Sequence, residues 1–176
     1  GSEMCIRDSE GADGTSAAHM REVQLQNMKD IPNSGMVTTL DIGHPVFIHP
    51  MDKETVGKRL ALWALAQTYE RKGFGYATPI YKSMEISEGK IYINVENAQR
   101  GLCPMWTSLE GFEIAGKDKV FYPAFAEIET STTRLAVSSD KVPHPIAVRY
   151  AYKNYTTASV FNIHGLPLAP FRTDNW

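Results

Sequence analysis

Long apolar runs are missing from this 176-residue chain. The longest, residues 60–66, stops at Gln67 and is flanked by charge, far short of the roughly 20 apolar residues a membrane-spanning helix needs. No membrane partner is therefore expected. An excess of basic charge is missing too: 18 Lys and Arg stand against 20 Asp and Glu, for a formal charge of −2. Without a basic stripe to neutralise a phosphate backbone, nucleic acid is not an expected partner. Cysteine is scarce, and the two present, Cys5 and Cys103, cannot form a disulfide framework. Neither an internal repeat nor a low-complexity segment occurs. Residues 1–20 lack the basic stretch followed by an apolar stretch that marks a signal peptide. A G-x-S-x-G elbow and a Gly-Asp-Ser block are also absent, so no serine is presented in a recognised nucleophile turn. What is present, 43% hydrophobic and 22% charged residues, describes a folded globular chain able to bury a core without disulfides.

The opening GSEMCIRDS has no amphipathic period and reads as a cloning or sequencing scar. Residues 1–20 are taken as a tag, scar or disordered leader. From Arg21 the pattern changes: Val23, Leu25, Met28 and Ile31 form an apolar stripe near helical spacing, ended by Pro32. Residues 36–41 alternate loosely with β-branched side chains and read as a strand. Two prolines keep HPVFIHP irregular, and Asp52 before Lys53, Glu54 and Thr55 is an N-cap signal for a helix over residues 53–71. The apolar residues of its second half cover more than one face, which suits a helix packed between layers, and Gly73 and Gly75 close it. After Thr78 the chain reads as strands. IYKSMEIS and KIYINVE flank the turn Glu88-Gly89 as a hairpin, and GFEIAG, VFYPAFAEIE, RLAVSS and IAVRYAY follow at short intervals. The closing NIHGLPLAPFRTDNW has little period and reads as an ordered surface tail.

The segment PNSGMVTTLDIGHPVFIHPMDKETVGKRLALWAL, residues 32–65, resembles a block of the sialate O-acetylesterase-like branch of the SGNH hydrolases. The elements that match are PNSGM, Asp41, Ile48-His49-Pro50, Lys53, Val56 and Arg59-Leu60-Ala61. The likeness continues through IYKSMEI, GFEIAG, Val148-Arg149-Tyr150-Ala151 and LPLAPFRT, nearly everything after Arg21. It implies a carbohydrate O-acetylesterase acting on acetylated sialic acids or acetylated xylan, with no cofactor, and a secreted or periplasmic full-length protein. The fold it implies is an α/β fragment, the end of an SGNH hydrolase core over residues 21–76. An all-β sandwich or jelly-roll-like domain with a C-terminal tail follows over residues 77–176.

In that family a histidine takes the serine proton during attack and returns it to the leaving alcohol. His49, on a loop between a strand and a helix and beside the stiff Pro50, fits the role. A loop histidine that merely hydrogen-bonds its neighbours is the other reading. Many relatives carry an Asp two or three residues before the histidine, where this chain has Phe47 and Val46. Asp41 is the candidate orienting acid if the loop folds back, and a loop-closing aspartate otherwise.

The resemblance places the serine and the oxyanion donors in segments N-terminal to this one, so the chain is expected to be inactive alone. Its expected partners are an acetylated carbohydrate in the complete enzyme, and a missing catalytic segment or a second copy. The rival reading is a carbohydrate-binding β-sandwich module without catalysis. Trp106, Tyr122, Phe125, Tyr150, Tyr152 and Tyr155 would then supply either a sugar-stacking platform or core packing. His44, His49 and Asp41 match no zinc spacing, so no metal is expected.

Overall fold

The computed structural model describes residues 14–28, 30–45, 47, 49–104, 108–129 and 133–176. Two helices come first, α1 (Ser16–Asn27) and α2 (Lys53–Gln67). Ten strands follow: β1 (Ile80–Ser87), β2 (Lys90–Glu96), β3 (Leu102–Pro104), β4 (Phe112–Ala115), β5 (Phe121–Pro123), β6 (Phe125–Ile128), β7 (Arg134–Ser138), β8 (Ala147–Tyr150), β9 (Val160–Asn162) and β10 (Phe171–Arg172). They form two four-stranded sheets, β1-β2-β7-β6 and β10-β8-β4-β5, and the two-stranded β3-β9. Every pairing among the described strands is antiparallel.

The sequence shows why the sheets close on each other. In β2, Ile91, Ile93 and Val95 are buried while their neighbours are not, the period of two that a strand gives its side chains. They share one core with Leu135 and Val137 of β7, Phe112 and Ile114 of β4, and Val148 and Tyr150 of β8. The expected β1–β2 hairpin forms, with Glu88 and Gly89 both at positive φ (51° and 74°), the geometry whose twist suits a two-residue hairpin. A Cβ on Gly89 would stand 3.0 Å from the Pro143 carbonyl oxygen. Residues 120–129 do not form one strand: the chain changes sheets at Ala124, leaving β5 on β4 and β6 on β7. Nor does the C-terminal stretch run over the surface. Leu166, Leu168, Ala169 and Phe171 are buried, and Tyr150 Oη accepts N–H bonds from Ser159 (3.1 Å) and Val160 (3.2 Å).

The α/β expectation for residues 21–76 is overturned. The described residues of that stretch contain no strand and no parallel sheet, and the described residues as a whole are mostly antiparallel β with two short helices. Residues 36–41 stay outside any ladder because side chains take their backbone groups: the Thr38 N–H meets Thr78 Oγ1 at 3.4 Å and its carbonyl accepts from Arg59 at 2.7 Å. The first helix begins at Ser16, within the expected leader, and ends at Asn27. The second starts behind Asp52 as its cap signal predicts, but ends at Gln67, with Glu70 at positive φ beyond it. It is not packed between layers: Arg59 is its buried residue, and Leu60 and Leu65 are 44% and 40% exposed.

Polar contacts attach α1 to the sheets. Ala17 N–H donates to Asn154 Oδ1 at 2.8 Å, and the Arg21 guanidinium donates to the Lys153 and Asn154 carbonyls. Glu22 accepts from Tyr152 Oη at 2.6 Å and from Arg172 Nε at 3.1 Å. Burial raises the Glu22 pKa, but the hydrogen bonds from Tyr152, Arg172 and His19 outweigh it and hold the carboxyl below its ordinary value.

Candidate functional site

His49 lies exposed on the loop between the Thr39–Ile42 turn and α2. The loop begins at Asp41 and ends at Asp52, whose Oδ1 accepts the Thr55 N–H (2.9 Å) and whose Oδ2 accepts Thr55 Oγ1 (2.6 Å). Those bonds from Thr55 hold the Asp52 carboxyl below its ordinary value. Within the loop, His44 Nδ1 accepts the Phe47 N–H at 3.2 Å, and the two rings lie 4.8 Å apart. The His49 imidazole makes no hydrogen bond or ion pair to a described residue. Val46 and Ile48 lie outside the described residues.

Asp41 is engaged elsewhere. Its Oδ1 and Oδ2 accept from Arg59 Nη1 (2.8 Å) and Nη2 (2.6 Å), a two-pronged pair with both side chains largely buried. Arg59 also donates to the Thr38 carbonyl and, at 3.4 Å, to that of Gly165. The fork therefore joins α2, the segment before the histidine loop and the turn after β9. His49 and Asp41 share no hydrogen bond. Arg59 is the residue that sequence reasoning missed. No local pattern in the sequence signals its pairing with Asp41, 18 residues upstream.

No group of three or more His, Cys, Asp or Glu side chains that could hold a metal is found among the described residues, and no described helix is long and apolar enough to cross a membrane. Of the aromatic candidates, Tyr150 sits in the core and Tyr152 is buried against Glu22 and beneath Arg172, whose guanidinium lies 5.4 Å from its ring. Burial, followed by the bond to Glu22, pushes the Tyr152 phenol far up. Phe125 is exposed, Tyr122 and Tyr155 are half-buried, and Trp106 lies outside the described residues. A cavity of about 240 Å³ opens between the helices, with Gln24, Asn27, Met28, Ser34, Val56 and Leu60 in its lining.

The chain matches no protein-family model and no curated protein sequence. It is similar to a solved structure, a carbohydrate acetylesterase from Xanthomonas citri, at 35% identity and a TM-score of 0.85. The match covers 96% of this chain and 39% of that one. The match takes in the helical residues as well as the sheets. The chain is related in sequence and in fold to a carbohydrate esterase.

Proposed function

We propose that this chain serves the deacetylation of a carbohydrate, with His49 as the general base. The likeness to the Xanthomonas citri acetylesterase carries the reading. The exposed imidazole of His49, at the mouth of a loop anchored at both ends, agrees with it. In this chemistry a serine hydroxyl attacks the acetyl carbonyl while the imidazole takes its proton. The proton then passes to the departing sugar oxygen, and water activated by the same imidazole releases acetate. Preorganised N–H donors stabilise the oxyanion. In our reading the serine and those donors come from polypeptide beyond these 176 residues, and the substrates are acetylated xylan or O-acetylated sialic acid.

Acetate release from these two substrates tests the proposal. Residues 1–176 alone should stay at background, and a kcat of about 1 per second or more from them would sink the division of labour. In the natural polypeptide that carries this sequence, His49→Ala should lower kcat/KM by about three or more powers of ten, because nothing then accepts the serine proton. An unchanged rate would remove His49 from the mechanism.

A further inference from the structure

We propose that the Asp41–Arg59 pair is the positioning device for His49, setting where the imidazole stands without touching the reacting atoms. This rests on the reading of His49 as general base. A side chain fixed by its own hydrogen bonds needs little from its loop. The His49 ring has none to a described residue, so the backbone path of the described residues about it, 43–45 and 49–52, sets its position. That path is pinned at its start by Asp41 and at its end by the Asp52 cap of α2. Arg59, on α2, reaches back across the loop to hold both Asp41 carboxylate oxygens and the Thr38 carbonyl. One largely buried guanidinium therefore fixes the distance between the loop's two ends.

The chemistry of the pair supports this role over that of a triad acid. Both Asp41 oxygens accept from Arg59 (2.8 and 2.6 Å) and neither accepts from His49, and a planar fork matches a carboxylate in one orientation, which a lysine ammonium does not reproduce. Losing the fork would let the loop shift by a fraction of its width. A displacement of about 1 Å at a catalytic group costs on the order of 100-fold in rate.

The experiment uses the natural polypeptide carrying this sequence, with Arg59→Lys, Asp41→Asn and His49→Ala compared on acetylated xylan. Hydrogen exchange is followed at residues 43–51 and, as a folding control, in β2 and β7. The first two variants should lower kcat by about 10- to 100-fold, with KM within about twofold. Exchange should quicken at 43–51 and stay unchanged in β2 and β7. If β2 and β7 also quicken, the double variant Asp41→Asn/Arg59→Gln, which leaves no buried charge unpaired, replaces the single ones under the same criteria. A kcat within about threefold of the parent, or a loss confined to KM, overturns the inference. So does an Asp41→Asn loss as deep as that of His49→Ala, which would make Asp41 the triad acid. A His49→Ala variant that keeps its rate overturns the general-base reading instead. The exchange data then decide by themselves whether the pair orders the loop.

Discussion

In the two sheets the buried side chains include Ile91, Ile93, Leu135, Val137, Ile114 and Val148, whereas in α2 the buried residue is Arg59, and α1 buries Arg21 beside Ala17 and Ala18. Many large apolar side chains of the helical half stay exposed instead, among them Met20, Val23, Ile31, Phe47, Met51, Leu60, Leu65 and Tyr69, although Val37 and Leu40 are buried. Apolar burial is non-directional and adds up over many neighbours, so the sheets tolerate small errors in placement and unfold as a unit. The helices are held by a few directional contacts, each to a partner far along the chain: Arg59 to Asp41, Arg21 to residues 153 and 154, Glu22 to Tyr152 and Arg172. Such contacts fix geometry closely and can be lost one at a time. The helical half should therefore loosen without melting the sheets.

That contrast can be broken most severely from the β side. Phe161 in β9 is buried in the shared core, and Phe161→Ala should cost about 3–5 kcal/mol through lost burial and the cavity left behind. Thermal unfolding should fall by many degrees, with exchange rising in β1, β2 and β8 together. Exchange that rises in β3 and β9 alone would show that the sheets are not one cooperative unit.

A smaller and local effect is expected at the α1 anchor. The Glu22 carboxyl is held below its ordinary value of 4.5, so its contribution is complete above that pH and is lost as the pH falls through the lower folded value. Because the site is partly solvated, Glu22→Gln should cost about 1 kcal/mol or less. The check is hydrogen exchange in α1 between about pH 6 and about pH 3. The parent should loosen there on acidification while β2 does not, and the variant should already be loose at the higher pH. A pH-independent α1 would show that Ala17, Ala18 and the Asn154 contact suffice.

The smallest effect belongs to Asp52. Its cap on Thr55 is solvent-exposed, and Asp52→Ala should fray the first turn of α2 with little change in the melting temperature. Faster exchange at residues 53–56 and at the adjoining end of the histidine loop is the expected result. Loss of the whole helix would mean that the Arg59 fork cannot hold α2 without its cap.

How much of this was readable in the letters follows the same division. The alternation of Ile91, Ile93 and Val95 and the Glu88-Gly89 turn announce the hairpin, because both are local properties of the backbone. Asp52 and Thr55 announce the start of α2 for the same reason. The β-branched run at 36–41 looked like a strand, yet a strand needs a partner, and Thr78 and Arg59 took the backbone groups of Thr38 instead. His49 was legible as a loop residue. That Asp41 faces Arg59 was not, since 18 residues separate the two and no local pattern encodes the distance.

The sequence by itself determined where the strands alternate, where α2 begins and that His49 sits on a loop between prolines, since near-neighbour sterics and capping bonds set these. Only the tertiary structure decided that residues 120–129 divide between two sheets, that the C-terminal residues complete the core, and that α2 is anchored by a charge. Each of those outcomes depends on which distant group reaches a given backbone or side-chain atom first, and that competition is resolved only when the whole chain has packed.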